Sequence, residues 1–169
     1  TGHVYGSPRS VQLTDHIMFR IAVTAYKESI ALARELGPAP CLETRESREK
    51  LIQSCFLKQL PELHNDILEH GLRNALLLSI APTGTISMYA GNVSSGIEPI
   101  FAPEYVRVVT RDTGIKEEEI VMTYGVKQYF DAGFTKDDDW WKEYMVTAQD
   151  LTPRDHIVMQ AAAQKWVDS

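Results

Sequence analysis

Ile80-Ala81-Pro82-Thr83-Gly84-Thr85-Ile86-Ser87, entered from the apolar run Ala75 to Ile80, is the stretch on which the reading of this chain turns. The run is short, continuous and stopped by Pro82, which reads as a strand buried on both faces, as in a parallel sheet covered by helices. Behind it, a proline, a glycine and three hydroxyl residues fall within positions 82 to 87. Backbone amides and short hydroxyls in such a loop can converge on one anion. A helix opening at Gly84-Thr85-Ile86-Ser87 adds free N–H groups that favour negative charge. Pro82, Thr83, Gly84, Thr85, Ile86 and Ser87 are therefore candidate phosphate-binding residues, a cradle without a lysine. The same residues also fit an ordinary strand-to-helix connection, because Thr and Ser cap helices and Gly permits tight turns. No Gly-Lys-Ser/Thr follows, so the loop is not a P-loop. An α/β fold is expected, with the loop at the carboxyl end of a strand, where ligands collect.

Downstream, Gly91 to Pro103 reads as a long ordered loop of small polar residues, anchored by Ile97, Ile100 and Phe101. Its carboxylate, Glu98, suits either a helix cap or loop hydrogen bond, or contact with a substrate or a neighbouring loop. Glu104 to Arg111 is rich in β-branched residues, Asp112-Thr113-Gly114 is a turn, and Ile115 to Tyr124 can pair back as a hairpin. The run Glu117-Glu118-Glu119 leaves a helix start open as the alternative. Lys127 to Ala132 reads as a turn or two of helix. Asp137-Asp138-Asp139 lacks the spacing of a calcium loop and reads as a solvated helix start. Thr152-Pro153-Arg154-Asp155 is a helix opening, with a capping residue, proline at the first position and an acid in the first turn. A helix is predicted from Asp155 to Val167.

Upstream, residues 1 to 12 are turn-rich, and a helix is predicted from Thr14-Asp15 to the stop at Gly37-Pro38, with Ile17, Ile21, Tyr26, Ile30 and Ala33 near helical spacing. A second helix is predicted over Glu43 to Leu57, its charged first half a solvated face, and a third from Pro61 to His70, closed by Gly71. His16 reads as a surface residue, and His64 and His70 stand at the wrong interval for a ligand pair. Cys55, between Ile52 and Phe56, reads as a small buried hydrophobe.

The chain has 169 residues, 44% of them hydrophobic, enough for one core and its surface. A net charge of −6 argues against a general nucleic-acid surface, though not against a local nucleotide pocket. No stretch approaches the roughly 18 apolar residues of a membrane span. Cys41 and Cys55 are too few for a disulfide framework and lack metal-ligand spacing, so no metal residues are assigned and a cytoplasmic, reduced setting is expected. Both ends read as cut, as in a piece of something longer.

Leu72-Arg73-Asn74-Ala75, then Ile80 to Ser87, then Gly91-Asn92-Val93-Ser94-Ser95-Gly96-Ile97-Glu98-Pro99, resemble the catalytic (large) subunit of ribonucleotide reductases, in wording closest to the adenosylcobalamin-dependent class II branch. Thr152 to His156 with Met159 to Ala162 and Val167-Asp168-Ser169 resembles the same family's next helix, so the likeness covers roughly residues 15 to 169. The resemblance implies part of a ten-stranded α/β barrel, with a helix-rich N-terminal half; residues 1–169 would be a single segment from its C-terminal part. It implies deoxyribonucleotide synthesis by a cysteine thiyl radical, generated in class II from adenosylcobalamin. It also carries the family's substrate phosphate site onto Pro82, Thr83, Gly84, Thr85 and Ile86, with Ser87 adjacent.

The departures limit what is carried over. The family's radical cysteine lies in an Asn-x-Cys-x-Glu motif; Cys41 has Glu43 two residues on but Ala39 in place of the Asn, and Cys55 has neither. No catalytic residue is assigned, and no adenosylcobalamin is expected on this segment itself. The partners implied are a ribonucleotide substrate, a thioredoxin-type reductant and the remainder of the catalytic subunit, without nucleic acid or membrane. Unpaired strand edges predict self-association as a homo-oligomer. The other readings are the equivalent piece of a class I enzyme, and a nucleotide-phosphate-binding or structural module without catalysis.

Overall fold

A computed structural model describes residues 2–54 and 56–168. Cys55 and its expected burial lie outside the described residues. The elements run α1 (Pro8–Leu36), α2 (Arg45–Leu51), α3 (His64–His70), α4 (Gly84–Tyr89), β1 (Glu104–Thr110), β2 (Lys116–Met122), α5 (Tyr124–Asp131), α6 (Asp139–Tyr144) and α7 (Pro153–Gln164), with short 3-10 turns at Pro40–Leu42, Leu57–Gln59 and Pro61–Leu63. The chain divides into two compact units, Thr1–Val11 with Ala81–Met159, and Gln12–Ile80 with Gln160–Ser169. No helix among the described residues is long and apolar enough to cross a membrane.

The unit around Gln12–Ile80 is held by an apolar core. α1 buries Ala22, Tyr26, Ile30 and Ala33 at helical spacing, while Ile17 and Ile21, expected on the same face, are 44% and 45% exposed. The helix begins at Pro8, earlier than the predicted Thr14. Proline suits a first helical position, and the Ser7 hydroxyl accepts from the Ser10 amide at 3.3 Å. α2 is shorter than the helix predicted over 43–57. Thr44 caps it by accepting from the Ser47 amide at 3.2 Å. The chain then enters 3-10 turns. With three residues per turn, side chains three apart lie on one side, and Leu57, Leu60 and Leu63 are each at most 2% exposed. Tyr26 packs edge-on against Phe56 with ring centroids 4.9 Å apart. The predicted third helix is present, closed by Gly71 at φ 74.

In α2, Arg45–Glu49 and Lys50–Glu46 form the solvated pairs expected of its charged face. Arg48 turns inward instead. Its guanidinium donates to the carbonyls of Leu42 at 2.7 Å, Leu68 at 3.1 Å and Glu69 at 2.9 Å. The last two are end carbonyls of α3, which the helix itself leaves without donors.

Residues 75–80 do not form the predicted strand buried on both faces. No strand pairs with them among the described residues. Leu76 is 71% exposed, while Leu77 and Leu78 are half-buried. The apolar run predicts the burial of a strand only if neighbouring strands exist to complete the ladder, and the described residues hold one sheet, the hairpin β1–β2. The run is held by Asp168, whose carboxylate accepts from the Leu77 and Leu78 amides at 2.8 Å each.

The unit around Ala81–Met159 carries that hairpin, antiparallel from Glu104↔Met122 to Thr110↔Lys116. Glu117 and Glu119 belong to the strand, not to a helix start, because Arg111 binds both carboxylates at 2.7 Å. α5 and α6 meet through aromatic side chains, with Tyr129 stacked on Phe134 and on Trp140 at 5.0 Å. Asp138 opens α6 as its N-cap, the helix start expected of the aspartate run.

Thr152-Pro153-Arg154-Asp155 opens α7 as predicted. The Asp155 carboxylate accepts from the Thr152 amide at 2.9 Å and from its hydroxyl at 2.6 Å. These bonds, the hydroxyl first and the amide second, hold the Asp155 carboxyl below its ordinary value of 3.8. A lowered carboxyl stabilises the folded form above the unfolded value and loses that contribution as pH falls through the folded one. Asp155 is expected to titrate below 3.8 in carboxyl NMR, and Thr152→Ala to move it back up. An unchanged titration would show that the Thr152 bonds do not form in solution.

Candidate functional site

The chain enters the predicted cradle through a backbone shape that a β-branched residue rarely takes. Thr83 lies in the left-handed region, at φ 50 and ψ 25, a conformation costing about 1–3 kcal/mol for such a residue. It is held there from across the loop, since the Gly96 amide donates to Thr83 Oγ1 at 2.6 Å. Gly96, at φ 54, brings its backbone so close that a Cβ would stand 2.9 Å from the Ala81 carbonyl oxygen. The two turn-forming segments seen in the sequence, 81–87 and 91–96, are thus closed on each other.

Gly84 begins α4, as its sequence suggested. The Ser87 amide donates to the Thr83 carbonyl at 2.8 Å. The amides of Gly84, Thr85 and Ile86 have no hydrogen-bond acceptor among the described residues, and Thr83 provides no side-chain cap. Pro82, Gly84, Thr85 and Ile86 are exposed and Thr83 is half-buried. Ser87 differs: it is 7% exposed, its hydroxyl donates to the Gly84 carbonyl at 2.7 Å, and it lies 3.3 Å from the Ser95 hydroxyl. Ser87 therefore closes the turn. The open groups are the three amides and the Thr85 hydroxyl.

Beside the loop lies a cleft of about 330 Å³, within the size range of small-molecule sites. Ser87, Asn92, Ser95, Glu98, Tyr105 and Thr123 supply its polar wall, with Met88, Ile100 and Phe101 among its apolar residues. Glu98 is exposed at this cleft, and its amide donates to the Ser95 carbonyl at 3.1 Å. Tyr5 donates its hydroxyl to the Ile97 carbonyl at 2.8 Å. Burial, and then the charge of Glu98, raises the Tyr5 pKa. Of the expected loop anchors, Ile97 and Ile100 are half-buried, but Phe101 is 67% exposed.

Sequence reading missed three contributors. Asn92, at φ 61, carries its side chain to Arg107. The guanidinium Nη2 of Arg107 donates to Asn92 Oδ1 at 3.1 Å and to the Tyr105 hydroxyl at 3.0 Å. The alternation of β1, which puts Tyr105 and Arg107 on one face, was the available signal. Nothing in the sequence linked that face to Asn92.

The remaining candidates fall elsewhere. Cys41 is an exposed free thiol. His16 is exposed, as expected, and His64 is bound to the Leu57 carbonyl at 2.8 Å. Among the described residues no group of three or more His, Cys, Asp or Glu side chains could hold a metal ion.

The family model described as ribonucleotide reductase, barrel domain, matches residues 1–169. A vitamin B12-dependent ribonucleoside-diphosphate reductase of Thermoplasma acidophilum is 32% identical over 181 residues, covering 98% of this chain and 21% of the relative. A protein of the same name from Mycobacterium tuberculosis is 29% identical over 187 residues, covering 99% and 23%. The ribonucleoside-diphosphate reductase subunit alpha of Mycoplasma pneumoniae is 27% identical over 192 residues, covering 97% and 24%. The chain thus spans about a fifth to a quarter of the length of these curated relatives.

Proposed function

The chain belongs to the ribonucleotide reductase barrel-domain family, and from that premise we propose that it supplies the substrate phosphate seat of a ribonucleoside-diphosphate reductase of the vitamin B12-dependent kind. The enzyme reading rests on the family match and on relatives of that name at 32% and 29% identity. The equivalent piece of a class I enzyme is the second reading, supported by the subunit alpha relative at 27%. In either case the segment belongs to the ten-stranded α/β barrel of the parent, and residues 75–80 would gain strand partners there.

The observation that carries the phosphate reading is the open first turn at 84–86. Three amides without acceptors stand at one place, with the Thr85 hydroxyl beside them. Phosphate oxygens satisfy such donors without a lysine. Gly84 admits close approach, since a Cβ there would meet nothing within 4 Å. Thr83, Gly96 and Ser87 hold the turn in its receiving shape, so the geometry is set before the ligand arrives.

Adenosylcobalamin would supply the radical in the parent enzyme. The cleft of about 330 Å³ beside the loop is smaller than a corrinoid with its nucleotide tail, and no His or Cys lines it. Its residues do not fit that group, and no step is derived through it. Catalysis is likewise not assigned to Cys41, which is exposed and lies in Ala-Pro-Cys-Leu-Glu. The work of this chain is to bind and orient.

Calorimetry with nucleoside diphosphates tests this reading. Thr85→Val is expected to weaken binding by about 1 kcal/mol, the loss of one hydrogen bond. Ser87→Ala is expected to cost a similar amount by freeing the Gly84 carbonyl and loosening the turn. Binding unchanged by both substitutions would remove the phosphate seat.

A further inference from the structure

We infer that the cleft of about 330 Å³ lined by Asn92, Glu98, Tyr105 and Thr123 is a binding site in its own right, for a small molecule that carries a neutral carboxamide on an apolar body. It does not depend on the phosphate seat, although Ser87 belongs to both.

Thr123 is the residue that points to a ligand. It is 8% exposed and is the N-cap of α5, yet its side chain makes no capping hydrogen bond. A threonine in that place ordinarily accepts from an amide of the first turn. No other partner for its hydroxyl occurs among the described residues, and a hydroxyl taken out of water without a partner is destabilising. The hydroxyl is not sealed in, because no fully covered side-chain polar atom among the described residues lacks a partner. Its opening is the cleft that Thr123 lines.

Two more donors line the same cleft. Arg107 Nη2 donates to Asn92 Oδ1 at 3.1 Å and to the Tyr105 hydroxyl oxygen at 3.0 Å. Those bonds occupy acceptors on both groups and leave the Asn92 Nδ2 hydrogens and the Tyr105 O–H proton to give. Asn92 and Tyr105 line the cleft, whereas Arg107 does not and only orients them. Glu98 adds an acceptor. No lysine, arginine or histidine lines the cleft, so an anion there would meet the Glu98 charge uncompensated. An ammonium, which only donates, would leave the hydrogens of Asn92, Tyr105 and Thr123 without an acceptor. A carboxamide satisfies both sides, its oxygen accepting from these three and its N–H donating to Glu98. Met88, 45% exposed, and Phe101, 67% exposed, also line the cleft and would be covered by an apolar body.

The test is titration of the full chain with benzamide, benzoate and benzylamine, three ligands with one ring and different polar heads, followed through the backbone amide resonances. Benzamide is expected to bind most tightly, at about millimolar, the range open to a ligand of so few atoms, and to shift the resonances of residues 92–105 and 123. Thr123→Val is expected to weaken benzamide about tenfold. The same substitution is expected to leave Tm of the ligand-free chain unchanged or higher, since it replaces an unpartnered hydroxyl by a methyl of the same shape. Asn92→Asp tolerates the φ of 61 and keeps an acceptor for Arg107 but loses the Nδ2 hydrogens, so it is expected to weaken benzamide tenfold or more. Glu98→Gln is expected to narrow the preference for benzamide over benzoate.

Benzoate or benzylamine binding as tightly as benzamide, or no binding of benzamide by the parent chain, overturns the assignment. So does Thr123→Val with a lowered Tm and unchanged benzamide affinity, which would show the hydroxyl to be bonded within the protein. Should Thr123→Val fail to fold, the order of the three ligands and Asn92→Asp decide, and unchanged benzamide affinity in Asn92→Asp overturns it. None of the three ligands carries a phosphate, so failure here leaves the phosphate seat standing, and loss of nucleoside diphosphate binding leaves this site standing.

Discussion

Asp168→Ala lowers the free energy of unfolding by about 3 kcal/mol, measured by urea denaturation at unchanged slope. One carboxylate serves three donors. Its Oδ1 accepts from the Tyr26 hydroxyl, and its Oδ2 accepts from the Leu77 and Leu78 amides at 2.8 Å each. The Asp168 amide in turn donates to the Leu78 carbonyl at 2.9 Å. Tyr26 has no exposed surface, so its hydroxyl has no water to replace the lost acceptor. Burial first, then the hydrogen bond and charge of Asp168, push the Tyr26 pKa far above its usual value, which keeps the donor proton in place.

Hydrogen bonds to a charged group contribute about 1.5–3 kcal/mol each, and bonds sharing one acceptor group do not add in full. A loss of about 3 kcal/mol is a large share of a domain's 5–15 kcal/mol. Tyr26→Phe removes one donor and leaves two, so it is expected to cost about 1 kcal/mol. The double variant should cost less than the two single losses summed. An Asp168→Ala chain as stable as its parent would mean that the run 77–78 is not tied to Asp168 in solution.

The second large effect is at Gly71. Its φ of 74 and ψ of −163 lie in a region that residues with a Cβ essentially do not adopt. A Cβ there would also stand 2.8 Å from the Pro38 Cβ and 3.3 Å from the Leu42 carbonyl oxygen. Neither neighbour is the end of a flexible side chain. Gly71→Ala is expected to destabilise by about 3 kcal/mol, combining backbone strain with displacement of the packed neighbours, and to lower Tm by roughly 10 °C. Gly37→Ala is the control. Its φ is 80, but a Cβ would meet nothing within 4 Å, so only the conformational cost of about 1 kcal/mol applies. Equal losses at the two positions would show that the contacts around Gly71 yield without cost.

Gly71 was legible in the sequence as the stop of a helix. Its close approach to Pro38 and Leu42 was not, because those neighbours are distant in sequence. The same division recurs at the site. The loop 82–87 and the helix start at Gly84 follow from local residue chemistry and are present. The sequence groups Ser87 with the phosphate-binding residues, and the structure adds a bond that the sequence does not reveal, from its hydroxyl to the Gly84 carbonyl. Arg107 looked like one residue of an alternating strand, and only the left-handed Asn92 brings a side chain to meet it.

The local signals that sequence alone determined are those that act within one turn or one strand: the capped opening of α7 at Thr152, the end of α3 at Gly71, the hairpin turn after Thr110, and the small-residue loop after Pro82. Each depends on φ preferences and on donors and acceptors a few residues apart, so no distant contact is needed to specify it. Family membership is also carried by the order of residues along the chain. Tertiary structure decided what required two distant segments at once. It left 75–80 without a strand partner among the described residues, because an apolar run specifies burial and not its partner. It turned Arg48 from a solvated helix face onto the end carbonyls of α3. It also joined Tyr26, Leu77 and Leu78 through a single carboxylate some ninety or more residues away in sequence.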